Sequence, residues 1–468
     1  MQKSFTGFND TIAALATPQG IGAIGVVRIS GQKAFEIANG LFPSKNLLSQ
    51  PSHTLHVGFL KDGDKVLDEV VLSLFKAPKT YTGEDVIEIS CHGSSYILQK
   101  VLELIFNKGA RPAQAGEFTL RAFMNGKMDL NQAEAVADLI AAESEAVHQT
   151  AMQQMKGGFS NDIKILRQQL IEFAALIELE LDFSEEDIEF ADRTQLKILI
   201  EEILKKIKEL LYSFQLGNIL KNGVTAVIAG RPNAGKSTLL NALLNEDRAI
   251  VTDIAGTTRD TIEEKLIING IVFRLIDTAG IREATDVIEK IGIEKSLEKI
   301  RNASIIIYVF DASTSTKPEV AADLKKLQKA GQSVLLVANK IDKCHEHELG
   351  MLQYNIKEIT GTHQTVFEMC AINKTQVEDL KDYLPSLVLS EKINTSQTIV
   401  VNARHYASLK DCEQSLEKVQ AALQTNTSGD LLALDIRHAL QSLGEITGEI
   451  LHDRDILGTI FGKFCIGK

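Results

Sequence analysis

"GRPNAGKST", Gly230 to Thr238, decides the fold of the segment around it. It fits G-x-x-x-x-G-K-[ST]. It stands between "TAVIA", which reads as a buried strand, and "STLLNALL", which reads as a helix. Gly230 and Gly235 allow backbone amides to curl around phosphate oxygens. Lys236 brings charge to the outer phosphates and so counts among the expected catalytic groups, while Ser237 offers a hydroxyl to Mg2+. Asn233, Ala234 and Thr238 complete the expected phosphate cradle. Downstream, "VFRLIDTAG", "IIIYVF" and "SVLLVANKID" continue short buried strands between helices, an α/β pattern.

Three further motifs follow in order. "DTAG" (Asp277, Thr278, Ala279, Gly280) ends the next strand but one. There Asp277 can hold Mg2+ through water and the Gly280 amide can meet the terminal phosphate. "AGTTRD" lies between, and Thr258 by its motif position completes the Mg2+ shell only when that phosphate is present. "NKID" (Asn339 to Asp342, with Lys340 inside it) selects the base. The Asp342 carboxylate accepts two hydrogen bonds that guanine offers and adenine lacks. The usual Ser-Ala-Lys element is "CAI" here, leaving the Ala371 amide for the guanine oxygen. These motifs resemble the translation-factor-type GTPases. One residue departs from them: Ile281 follows D-x-x-G where many such enzymes carry a water-orienting Gln, so either hydrolysis is slow and externally activated or another residue on the same loop supplies the base.

The 468 residues are too many for one core, and 44% hydrophobic with 24% charged content suits a soluble globular chain. No stretch has the length of apolar sequence that a membrane span needs, and "MQKSFTGFND" lacks the apolar core of a secretory signal. A cytoplasmic protein without a membrane partner is expected. The five cysteines are scattered and odd in number, which argues against a disulfide framework or paired zinc ligands. A net charge of -12 argues against broad nonspecific nucleic-acid binding. Arg111, Arg121 and Lys127 mark one local basic region, a candidate landing place for a polyanion.

Texture divides the chain. Residues 1–126 are strand-rich, with "IGAIGVVRIS", "KVLDEVVLSLF" and "DVIEISCHG" interrupted by helical stretches, an α+β domain. Residues 127–222 are helical, and Leu196, Ile200, Ile203, Ile207, Leu210 and Phe214 form one stripe. Residues 223–386 are the α/β module. Helices return over 387–468, with stripes Tyr406, Leu409, Leu416, Val419, Leu423 and Leu432, Ile436, Leu440, Leu443. The two helical segments read either as one domain with the module inserted or as two separate domains.

The flanks carry "IAALATPQGIGAIGVVRISG", "YTGEDVIEISCHG", "GEFTLRAFMNGKMDLNQAEAVADLI" and a terminal "FCIGK". With "GRPNAGKSTLLNAL" and "VTDIAGTTRD", they resemble the MnmE (TrmE) family of tRNA-modification GTPases over essentially the whole chain. That resemblance implies a multidomain α/β and α fold. It comprises an N-terminal α+β folate-binding and dimerisation domain, a central helical domain formed by two chain segments, and an inserted Ras-like P-loop GTPase domain. It implies a homodimer joined to an MnmG-type FAD protein as a heterotetramer. The assembly installs a (carboxymethyl)aminomethyl group on carbon 5 of the wobble uridine of certain tRNAs, with the one-carbon unit on 5-formyl- or methylene-tetrahydrofolate.

The family's folate contacts fall on Arg28, Glu88, Lys127 and Lys468. Cys465 reads as a packed or exposed small residue, as a poor prenylation box, or, through the resemblance, as a participant in the modification. The family's guanine-nucleotide domains meet across K+, whose ligands fall on Asn233, Thr252, Ile254 (by its carbonyl) and Thr257. The rest of that nucleotide-binding stretch falls on Asp253, Ala255 and Gly256, and the catalytic Glu falls on Glu289. A different class of function also fits the motifs: an RNA- or ribosome-associated GTPase switch that modifies nothing.

Overall fold

Period-two alternation builds the first sheet. In "VLDEVVLSLF", Val70, Leu72 and Leu74 are buried while Glu69, Val71 and Ser73 turn the other way. In a computed structural model, the structure describes residues 9–182, 193–244, 263–277, 303–327, 333–345, 366–389, 398–425, 429–450, 457, 460–462 and 464–467. The chain forms two compact units, one of residues 1–140, 151–205 and 407–468, the other of 141–150 and 206–406.

The first unit holds a six-stranded sheet of order β3-β4-β5-β2-β1-β6. The strands are β1 (Ile12–Leu15), β2 (Ile24–Ser30), β3 (Thr54–Asp62), β4 (Lys65–Phe75), β5 (Val86–His92) and β6 (Arg111–Pro112). All neighbours are antiparallel except β1 and β6. One face packs against helices α1 (Ala34–Asn39) and α2 (Ser95–Asn107) through Val27, Ile29, Leu72, Ile87, Ile89, Leu98 and Val101. Strand alternation therefore turns Arg28 and Glu88 to the opposite face. There Phe118 of α3 (Glu117–Met124) packs on Ile12 and Ala14.

Helices α4 (Leu130–Ile140), α5 (Glu145–Met155), α6 (Gly158–Asp182) and α7 (Arg193–Asn222) follow. The boundary between the units passes along α5 and α7. Leu196, Ile200, Ile203, Ile207 and Leu210 are all buried, as their common stripe predicts.

The second unit is a doubly wound sheet of order β12-β11-β10-β7-β9-β8. Its elements are β7 (Val224–Ala229), α8 (Lys236–Leu244), β8 (Glu263–Ile268), β9 (Ile271–Asp277), β10 (Ile305–Asp311), α9 (Lys317–Leu327), β11 (Ser333–Asn339), β12 (Val366–Met369) and α10 (Val377–Tyr383). Only the β8–β9 pair is antiparallel. The β10 run "IIIYVFD" is buried on both faces except at its last residue, as a central parallel strand requires. Strand order reverses at β7, so a crevice opens at the carboxyl ends of the strands beside it.

Residues 141–150 and 206–222 belong to this unit. Ala146 and Leu220 lie in its core, and Ser144 Oγ donates to the Gly270 carbonyl at 2.7 Å.

Helices α11 (Ala403–Gln424) and α12 (Gly429–Thr447) follow, and the boundary between the units also crosses α11. Leu409, Leu416, Val419, Leu432, Ile436 and Leu443 are buried. Among the described residues, no helix is long and apolar enough to cross a membrane.

Candidate functional site

The loop between β7 and α8 holds three residues at positive φ: Gly230 at 153°, Asn233 at 62° and Gly235 at 94°. The two glycines are sterically enforced. A Cβ at Gly230 would collide with the Val309 carbonyl of β10, and one at Gly235 with the side-chain amide of Asn339. Lys236 opens α8 and is buried, and its Nζ donates to the carbonyls of Gly230 (3.1 Å) and Arg231 (3.0 Å). Ser237 and Thr238 stand exposed on the first turn of that helix, where backbone amides and the helix dipole favour an anion.

The base-selecting motif is built onto this loop. Asn339, at the end of β11, donates from Nδ2 to the Ala234 carbonyl at 2.9 Å. Its Oδ1 accepts the Ala371 amide at 3.0 Å. The Ala371 donor, expected for the guanine oxygen, is therefore engaged by Asn339 in this structure. Lys340 has a φ of 65°, and its Nζ donates to the Asn233 carbonyl at 2.6 Å and to Asp311 Oδ2 at 2.7 Å. Asp342 is exposed in the 3-10 turn Ile341–Lys343.

Asp311 went unnoticed in the sequence, although an acidic residue closing the apolar run "IIIYVFD" was a usable signal. Burial pushes its carboxyl up, but hydrogen bonds from Lys340 and Ser313 outweigh that and hold it below its ordinary value.

Asp277 ends β9 opposite Ile228 of β7, beside the loop. Thr252, Asp253, Ile254, Ala255, Gly256, Thr257, Thr258, Thr278, Ala279, Gly280, Glu289 and Lys468 lie outside the described residues.

A second cluster forms on the N-terminal sheet. Arg28 of β2 and Glu88 of β5 are cross-strand partners, and Arg28 Nε donates to Glu88 Oε1 at 2.9 Å. The guanidinium sits 5.5 Å from the centre of the Tyr81 ring and 5.6 Å from that of Phe118. The C-terminal tail reaches the same place, with Arg28 Nη1 3.4 Å from the Gly467 carbonyl oxygen. Phe461 and Phe464 anchor the tail against Leu130 and Ala133, and Ile466 bridges Ala115. Gly467, at a φ of 99°, leaves no room for a Cβ against the Leu15 carbonyl. Cys465 is exposed on this tail. Lys127 is also exposed and donates to the Pro78 carbonyl at 3.0 Å.

The structure corrects one expectation. Arg121 is fully buried and bound to Asp10, Glu84 and Glu117, and Arg111 pairs with Asp10 and Glu117. Arg121 is thus enclosed rather than presented to a surface, and Arg111, though partly exposed, has its charge matched by exposed Asp10 and buried Glu117. Burial alone would push the Glu117 carboxyl up. Hydrogen bonds from Arg111, the Gln114 amide and Arg121 hold it below its ordinary value instead.

Residues 11–127 match the family model described as the GTP-binding protein TrmE N-terminus, and residues 130–465 match the MnmE helical domain. The chain belongs to the MnmE family. A relative from Cytophaga hutchinsonii, named tRNA modification GTPase MnmE, is 53% identical over 463 residues and 99% of each chain. One of the same name from Flavobacterium psychrophilum is 54% identical, covering 98% of this chain and all of its own length. A third MnmE, from Porphyromonas gingivalis, is 43% identical over 98% of both.

Proposed function

We propose that this chain is a GTP hydrolase of tRNA modification, acting on carbon 5 of the wobble uridine through a site completed by its own C-terminal tail. MnmE relatives that match nearly the full length and bear the name tRNA modification GTPase support the activity and the tRNA substrate. The observation that carries the reading is the coexistence in one chain of a nucleotide loop and a separate Arg28–Glu88 site joined by Gly467.

In the nucleotide site, the Gly230–Thr238 loop and the head of α8 take the phosphates. Lys236 exchanges two neutral carbonyl partners for phosphate oxygens, which form stronger, charge-assisted hydrogen bonds. Asn339, Lys340 and Asp342 hold guanine, and the Ala371 amide contributes once Asn339 shares it. Ser237 and Thr258, with Asp277 through water, would hold Mg2+. Asn233, Thr252, Ile254 and Thr257 would hold K+, whose positive charge at a paired face supplies what an arginine finger supplies elsewhere. Glu289 orients the water in place of the absent Gln.

The N-terminal cluster fits a flat heterocycle. A partly buried Arg–Glu pair offers donors and acceptors side by side, and the Arg28 guanidinium lies over the Tyr81 and Phe118 rings. We propose that Arg28, Glu88, Lys127 and Lys468 bind tetrahydrofolate there, which supplies the one-carbon unit when bound, and that exposed Cys465 joins the chemistry. Segments 1–126, 127–222, 223–386 and 387–468 are the proposed functional divisions. The proposed assembly is a cytoplasmic homodimer with an MnmG-type FAD protein.

Mass spectrometry of tRNA nucleosides tests the function. In a strain lacking this chain, the 5-substituted wobble uridines are expected to fall to background and to return with the gene. Unchanged wobble uridines would overturn the reading and leave a regulatory switch acting on RNA or the ribosome.

A further inference from the structure

The phosphate loop places Asn233 and Gly235 at positive φ, one of several backbone shapes open to these residue types. A contact outside the phosphate site would narrow that choice. Arg231 is placed to do so.

Its backbone faces inward: the Arg231 carbonyl accepts Lys236 Nζ at 3.0 Å and the Ala234 amide at 3.3 Å. Its side chain leaves the loop and grips α9, where Nε donates to Asp323 Oδ2 at 2.8 Å and Nη1 to Glu319 Oε1. Both acceptors are themselves fixed. Tyr308 of β10 donates its hydroxyl to Asp323 Oδ2 at 2.9 Å. Glu319 Oε2 accepts the Thr316 amide at 3.0 Å and the Thr316 hydroxyl at 2.8 Å, closing a capping arrangement at the head of α9. The planar guanidinium fork suits two such fixed carboxylates better than a flexible ammonium would.

We infer that Arg231 is a positioning residue that holds the phosphate loop in its binding shape and so sets the affinity for GTP and GDP alike. The inference rests on the GTPase reading above. The side chain is 42% exposed, so the ion pairs add little to global stability. Their effect is local. A loop that samples its competent shape only part of the time binds nucleotide weaker by that fraction. Once phosphates fill the loop, they supply the order themselves, and the chemical step proceeds as before.

Nucleotide titration and steady-state kinetics on the full chain test this. Arg231→Ala is expected to weaken GTP and GDP about tenfold each, to raise KM in proportion and to leave kcat within about twofold. Arg231→Lys recovers part of the loss. Adding Asp323→Ala to Arg231→Ala adds little further loss, since both act through one contact. A thermal midpoint within about 3 °C of the parent chain separates this from global destabilisation. Unchanged nucleotide affinity, or a fall in kcat at constant KM, would overturn the role of Arg231. Failure of the parent chain itself to bind GTP would overturn the GTPase reading beneath it.

Discussion

Gly235→Ala is expected to lower GTP affinity by roughly two to nearly four orders of magnitude. The residue sits at a φ of 94°, where an L side chain costs on the order of 1–3 kcal/mol. Its new methyl would also strike the Asn339 amide, which is held from both sides by the Ala234 carbonyl and the Ala371 amide. If Asn339 yields, two hydrogen bonds at about 1 kcal/mol each are lost and the base site opens. If the backbone yields, the phosphate amides turn away. Either route brings the total to about 3–5 kcal/mol. Calorimetric titration with GTP measures it, and an affinity within a few fold of the parent chain would show that the loop tolerates a Cβ there.

Asp342→Asn carries the other large effect. A carboxylate matched to two guanine donors becomes an amide that meets one of them with its own donor. The site should then lose GTP by roughly a thousandfold and gain xanthosine triphosphate, whose ring carbonyl suits the new donor. Because Asp342 is exposed, the substitution should leave folding stability nearly untouched. Competition between the two triphosphates reads the switch directly. A retained guanine preference would place base recognition elsewhere in the loop that carries Ala371.

The readable parts of the chain were those in which one residue type answers a local demand. Gly230 and Gly235 announce positive φ, and the four- and three-residue spacing along α7 announces a buried stripe. What escaped depends on partners far away in sequence. Arg121 on an amphipathic helix reads as surface charge, yet Asp10, 111 positions earlier, joins Glu84 and Glu117 in enclosing it. Arg28 meets the Gly467 carbonyl across 439 positions, a contact no periodicity can signal. The engagement of the Ala371 amide by Asn339 also follows from strand register, since β11 and β12 run parallel and end side by side. Helical texture likewise gives no sign that residues 141–150 pack with the nucleotide module.

GTP turnover by the purified chain, measured in K+ and again in Na+ at equal ionic strength, tests the account most directly. The account predicts multiple turnovers, with the rate at least severalfold higher in K+ and lost in Glu289→Ala, which still binds nucleotide. Hydrolysis no faster than the protein-free blank in either salt would contradict it.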